Sequence, residues 1–155
     1  MLGLRYAVPV ALLDLGKGFL AAFLGRWLAD DLVAVLAGCA ATAGHYRPLF
    51  LKFERGGKMV ATTGGVGFAV APLATLAAVA VWWAAFLPTR YVSVASMTSA
   101  ISLPLFAVLF GATWPVIAFT GGAAVAIVVL HRANIARLAA GTESRVRLRG
   151  RRATA

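Results

Sequence analysis

Three groups of residues in this chain carry chemistry that its apolar remainder does not. In "ERGGKMVATTGG", residues 54 to 65, the pair Gly56 and Gly57 precedes Lys58 and then an apolar run. Glycines allow backbone conformations denied to other residues, and a helix start leaves N–H groups unpaired. Lys58 adds a full positive charge, so phosphate is the natural guest. A flexible loop with a lysine reaching toward the membrane surface fits the same residues. In "LHRANIARLAAGTE", residues 130 to 143, His131, Asn134 and Arg137 recur at i, i+3 and i+6 with Arg132 beside them. On a helix this spacing presents an imidazole, an amide and guanidinium groups together, and a plain cationic helix end would need neither Asn134 nor the closing Gly-Thr-Glu. His45 stands shortly before Arg47 and Pro48, as a functional group or a helix–helix hydrogen bond. Asp14 and Lys17, at i and i+3, share one helical face and are expected to neutralise each other as a structural ion pair.

The elements that position these groups follow from composition. Of 155 residues, 61% are hydrophobic and 13% charged, and the mean hydropathy is +0.87. A water-soluble domain of this length has too much surface to cover with so few charges, whereas a bilayer accepts an apolar exterior. The apolar stretches are continuous and rich in Ala and Leu rather than alternating, which selects helices over barrel strands. The expected class is an all-α integral membrane protein. The net charge of +10 is concentrated behind a hydrophobic span, from Arg132 and Arg137 onward, which suits a cytoplasmic tail near anionic lipid and not a nucleic-acid interface. Residues 1–144 are expected to form one membrane domain and residues 145–155 a disordered basic tail. Cys39 stands alone, so an intramolecular disulfide is excluded, and a structural role is expected for it. The N-terminal apolar run is broken by Asp14 and Lys17 without a small-residue cleavage site, so it is read as part of the mature protein.

Spans are expected over about residues 4–28, 32–51, 91–111 and 114–133, with a polar turn at "ADD" (29–31). The stretch 60–88 is one long helix or two short ones. The positive-inside rule decides between them: Lys52, Arg55 and Lys58 should share a face with the arginine-rich end, which requires an even number of crossings between them. A break near Pro72 supplies it, giving about six membrane-embedded segments, two of them short. Residues 47–58, Arg90 and "HRANIAR" then meet on one face, with Met1 on that face and "ADD" on the other.

The stretches "LLDLGKG" (12–18), "GHYRPLFLKFERGGKMVAT" (44–62), "TRYVSVASM" (89–97) and "HRANIARLAAGTE" (131–143) occur in this order. Together they resemble the bacterial acyl-phosphate:glycerol-3-phosphate acyltransferase family, PlsY. The resemblance implies a seven-helix membrane fold, of which these six segments would be the last six. It also implies transfer of a fatty acyl group from acyl phosphate to glycerol 3-phosphate, giving lysophosphatidic acid without metal or other cofactor. The site would lie on the cytoplasmic side of the bacterial inner membrane, with membrane lipids as neighbours and no nucleic-acid partner. By the same resemblance Gly56, Gly57 and Lys58 bind phosphate, with Arg132 and Arg137 as further cations. His131, His45 and Asn134 are the catalytic candidates, His131 being preferred as a base for its polar neighbours. The family's Gly/Ser/Asn-rich first motif has no counterpart here, Met59 replaces a glycine and Leu130 an arginine, as in a shortened or divergent member. A non-catalytic relative that binds phosphate or a partner is the alternative, and a small transporter a third reading.

Overall fold

The computed structural model describes residues 4–48, 52, 54 and 56–146, and among them the chain is wholly helical. Helix α1 (Leu4–Leu28) ends at a tight turn, and α2 (Asp31–Tyr46) begins where the Asp30 carboxylate accepts the Val33 N–H at 3.0 Å. That cap satisfies one of the donors every helix start leaves open. The span expected to reach residue 51 stops instead at Tyr46. Arg47 precedes Pro48, whose ring disfavours helical geometry in the residue before it. The remaining helices are α3 (Val60–Val70), α4 (Pro72–Thr89), α5 (Val92–Leu109), α6 (Trp114–Leu130) and α7 (Arg132–Ala139).

The expected break near Pro72 is present: Ala71 ends α3 and Pro72 opens α4, where its missing N–H costs nothing. Only α3 is short, at 11 residues, about 16 Å of helix. Its partner α4 has 18 residues, long enough to cross with α1 and α5. The last expected span ends at Leu130 instead of residue 133. There the chain bends by 52° into the polar helix α7. Helices α1–α6 thus form the expected apolar set, and the chain is a multi-pass membrane protein. Of the basic tail, Arg145 and Val146 are described; residues 147–155, Met1 and Arg55 lie outside the described residues.

The outward apolar surface is what lipid requires: Leu13 is 72% exposed, Leu105 67% and Val125 66%. The interior is built from small residues, as expected where helices associate without water to drive them. Ala22, Ala34, Val66 and Ala107 are fully buried. The short α3 lies alongside α1 so closely that a Cβ on Gly65 would stand 2.0 Å from the Leu15 carbonyl oxygen. Contacts assign the bundle two ends. Arg26, Asp31, the α3–α4 break and residues 110–113 gather at one. His45, Tyr46, residues 56–58, 90–93 and 131–146 gather at the other. The parity argument therefore holds: the three polar stretches do converge.

Candidate active site

Lys58 is brought to the site by a turn folded onto the end of α2. The Gly56 N–H donates to the Tyr46 carbonyl at 2.9 Å, and the Gly57 N–H to the His45 carbonyl at 3.4 Å. The two glycine amides thus satisfy carbonyls at the end of α2. The glycines are needed because the turn lies flat against α2. A Cβ on Gly56 would fall 2.3 Å from His45 O, and one on Gly57 1.9 Å from His45 Nε2.

From this turn Lys58 Nζ donates to Asn134 Oδ1 at 2.6 Å. Asn134 Nδ2 donates to Glu143 Oε1 at 2.6 Å, and Arg137 Nε to Glu143 Oε2 at 2.6 Å. Glu143 reaches back because Gly141 adopts φ +69°, while the Gly141 and Thr142 N–H groups donate to the Leu138 and Arg137 carbonyls. This is the glycine-dependent helix ending that reverses a chain. The carboxyl group is held down at about 2, chiefly by the Asn134 amide, with Arg137 helping and burial opposing. Ser93 is buried in the same cleft, and its hydroxyl makes no hydrogen bond there of good geometry. Lys58 is pushed below the ordinary lysine range, mainly by burial and further by nearby Arg137, with Glu143 opposing.

His131 occupies the bend between α6 and α7 and is 3% exposed. Its Nδ1 lies 2.7 Å from the Ile127 carbonyl, which can only accept. That fixes the proton on Nδ1 and leaves Nε2 with a free lone pair.

Two clefts flank the Lys58–Asn134 bond. One, of about 290 Å³, is lined by Tyr46, Gly56, Gly57, Arg132 and Arg137 with Leu130 in its wall. The other, of about 460 Å³, carries Val60, Trp82, Val92, Ser93 and His131. The first is cationic and the second is mostly apolar with a polar corner. Lys58, Arg132 and Arg137 are themselves exposed, so the first cleft opens to the surface at this end of the bundle.

The residues singled out in the sequence fall into two sets. Lys58, Arg132, Asn134, Arg137, His131, Gly56 and Gly57 border the two clefts. His45 lies behind Gly57, with Nδ1 2.8 Å from Lys17 Nζ and 3.2 Å from Asp14 Oδ1. Asp14 and Lys17 pair with each other at 2.5 Å. Sequence reasoning missed Glu143, Ser93 and Trp82 as cleft residues. The Gly-Thr-Glu that ends the third cluster was the available signal for Glu143. Ser93 lies within the quoted stretch 89–97 but was not singled out from it, and nothing in the pattern marked Trp82.

A multi-pass helical membrane protein with a cation-lined cleft at one end of its bundle is the class that fold and geometry define. The sequence model of the family described as glycerol-3-phosphate acyltransferase matches residues 1–141, and the chain belongs to that family. Its relatives include glycerol-3-phosphate acyltransferases of Thermoanaerobacter sp. (strain X514), 40% identical over 94% of this chain and 73% of the relative, and of Symbiobacterium thermophilum, 43% identical over 97% and 75%. Among solved structures, the glycerol 3-phosphate form of PlsY (YgiH), an integral membrane glycerol 3-phosphate acyltransferase, superposes with a TM-score of 0.89 at 41% identity, over 94% of this chain and 73% of that one. The lysophosphatidic acid form gives 0.88 at 41% identity, over 93% and 74%.

Proposed function

We propose that this protein is a membrane acyltransferase that moves a fatty acyl group from acyl phosphate to glycerol 3-phosphate, releasing lysophosphatidic acid and inorganic phosphate. The observation that carries the reading is the pair of clefts on either side of the Lys58–Asn134 bond, one cationic and one largely apolar. Both substrates are phosphate anions that repel each other, and Lys58, Arg132 and Arg137 offset that repulsion. Gly56 and Gly57 shape the floor of the phosphate cleft. The acyl chain lies along the Val60–Trp82 side, which places its carbonyl at the shared wall.

In the reaction the glycerol hydroxyl oxygen bonds to the acyl carbonyl carbon and the carbon–oxygen bond to phosphate breaks. The hydroxyl proton passes to His131 Nε2 and leaves with the phosphate. Acyl phosphate carries a good leaving group, so holding the reactants together supplies much of the rate, and His131 assists as a general base. Asn134, fixed by Glu143, orients Lys58. Lys52, Lys58, Arg90, Arg132, Arg137 and Arg145 share this end of the bundle, whereas the other end carries Arg26 with Asp30 and Asp31. That asymmetry supports a cytoplasmic site in the bacterial inner membrane. The test is direct: detergent-purified protein is given acyl phosphate and glycerol 3-phosphate, and lysophosphatidic acid and phosphate are measured. Equimolar formation of both is expected, and no product above the protein-free rate would remove the proposal.

A further inference from the structure

We propose that Asp14, Lys17 and His45 form a positioning device for the phosphate cleft, in which the His45 imidazole is the wall that fixes the Gly56–Gly57 turn and thereby the reach of Lys58. The inference rests on the reading above for its substrate, glycerol 3-phosphate, and gives His45 a mechanical role instead of a proton-carrying one.

The imidazole is held on one side and used on the other. Its Nδ1 sits against the Asp14–Lys17 pair of α1, 2.8 Å from Lys17 Nζ and 3.2 Å from Asp14 Oδ1, where it either accepts from the ammonium or donates to the carboxylate. Its Nε2 faces Gly57 so closely that a single added carbon there would stand 1.9 Å away. Between the ring and the phosphate cleft lies the Gly56–Gly57 turn, and the cleft wall contains both glycines but not His45. A group behind the wall cannot exchange a proton with a substrate in front of it without displacing the turn. It can decide where the turn stands. Lys58 follows directly, and its Nζ must meet Asn134 Oδ1 at 2.6 Å, so a displacement at Gly57 is passed to the ammonium group. The Asp14–Lys17 pair thus acts on the site through His45, which explains a charged pair midway along a largely apolar helix.

Neither Gly56 nor Gly57 is among the glycines with positive φ. Alanine is therefore tolerated by the backbone at both positions, and space alone decides the outcome. The two positions clash differently: Gly57 against the His45 ring, Gly56 against the His45 main-chain oxygen. Removing the ring should make room at the first and not at the second.

The experiment titrates glycerol 3-phosphate into the detergent-purified full chain by calorimetry, with melting temperature and acyl transfer followed in parallel. Gly57→Ala and Gly56→Ala are each expected to weaken binding by at least about tenfold. His45→Ala should raise KM for glycerol 3-phosphate about tenfold while saturated kcat stays within about threefold. In the His45→Ala background Gly57→Ala should add no further loss, whereas Gly56→Ala should cost as much as before. Should His45→Ala fail to fold, Lys17→Met frees the ring from α1 and is expected to give the same split between KM and kcat, smaller in size. The proposal is overturned if His45→Ala lowers kcat about a hundredfold with KM unchanged, the pattern of a lost proton carrier. It is equally overturned if Gly57→Ala is as damaging with the ring gone as with it present, or if the wild type does not bind glycerol 3-phosphate. Binding without acyl transfer would instead remove the proposed reaction and leave the positioning device standing.

Discussion

The two ends of the bundle are both held by cations and carboxylates, yet they are built on opposite principles. At the end away from the clefts, Arg26 Nε lies 3.2 Å from Asp31 Oδ1, and its Nη1 donates to the Ala69 carbonyl at 3.0 Å. Thr113 donates to the other Asp31 oxygen at 2.7 Å. One guanidinium thus ties α1, α2 and the end of α3, and its carboxylate ties α6, with each group answered by another. At the cleft end Lys58, Arg132 and Arg137 line one cleft, while the Glu143 carboxylate beside them is already occupied by Asn134 and Arg137. Balanced charge without spare capacity stabilises a fold. Surplus charge beside open space is a cost that only a ligand offsets, and so it marks a site.

The largest effect that would sharpen this contrast is at Lys58. Lys58→Met is expected to lower acyl transfer by about a hundredfold or more, measured at saturating substrate. Stability should respond in the other direction. A lysine whose pKa is lowered by folding binds its proton less tightly in the native state than in the unfolded one. Stability therefore rises as pH passes from that lowered value up through the ordinary 10.5. Removing the charge should leave the melting temperature no lower than in the wild type. Activity of the wild type should fall on the alkaline side at a pH below that of an unperturbed lysine. A loss of activity matched by unfolding would break the contrast.

Next in size is Glu143→Gln. With Asn134 and Arg137 no longer held by a charge, KM for glycerol 3-phosphate is expected to rise about tenfold, with a smaller change in kcat. The acid limb of a stability profile gives the same group a second reading. Its pKa is depressed to about 2 from 4.5, so its contribution is full above the unfolded value and is lost as pH falls toward 2. The Gln variant should lack that limb. At the far end, Arg26→Ala should do the reverse: a loss of about 1–2 kcal/mol of stability, discounted for a half-exposed pair, with turnover per folded molecule within about threefold of wild type.

Much of this contrast was legible before any coordinates. Charge placement plus parity was enough to put Lys58 and the His131–Arg137 stretch on one face, because crossing the bilayer with an odd number of helices would have broken the positive-inside bias. The break at Pro72 could be read because proline removes a donor. The end of α2 was misplaced because apolar residues continue past Pro48, and hydropathy carried the span on where the proline stopped it. Trp82 was invisible for a different reason: it is an ordinary residue in an apolar helix, made part of a cleft only by which helix it faces, and Ser93, though inside the quoted stretch 89–97, was not told apart from its neighbours for the same reason. The glycine turn shows a third case. Its residue types pointed to a turn that does border a cleft, but sequence cannot say which way an amide faces, and here both face α2 carbonyls.

The smallest prediction concerns backbone strain, and it separates the two ends once more. Among the described residues, those other than glycine with positive φ are Lys52, Met59 and Arg90, and all three belong to the cleft end. The far end makes its left-handed turn with Gly111, at φ +70°. Met59, at φ +67°, caps α3 immediately after Lys58. A side chain in that conformation costs about 1 kcal/mol relative to glycine. Met59→Gly should recover up to that amount as a higher melting temperature, because the conformation glycine prefers is already present. If the strain serves to hold Lys58 against Asn134, relaxing it will also raise KM for glycerol 3-phosphate. If the turn is fixed by its contacts with α2, as the two short approaches to His45 imply, KM will not move. The second outcome is expected, since the contacts determine the path of residues 56–58 before the chain reaches Met59.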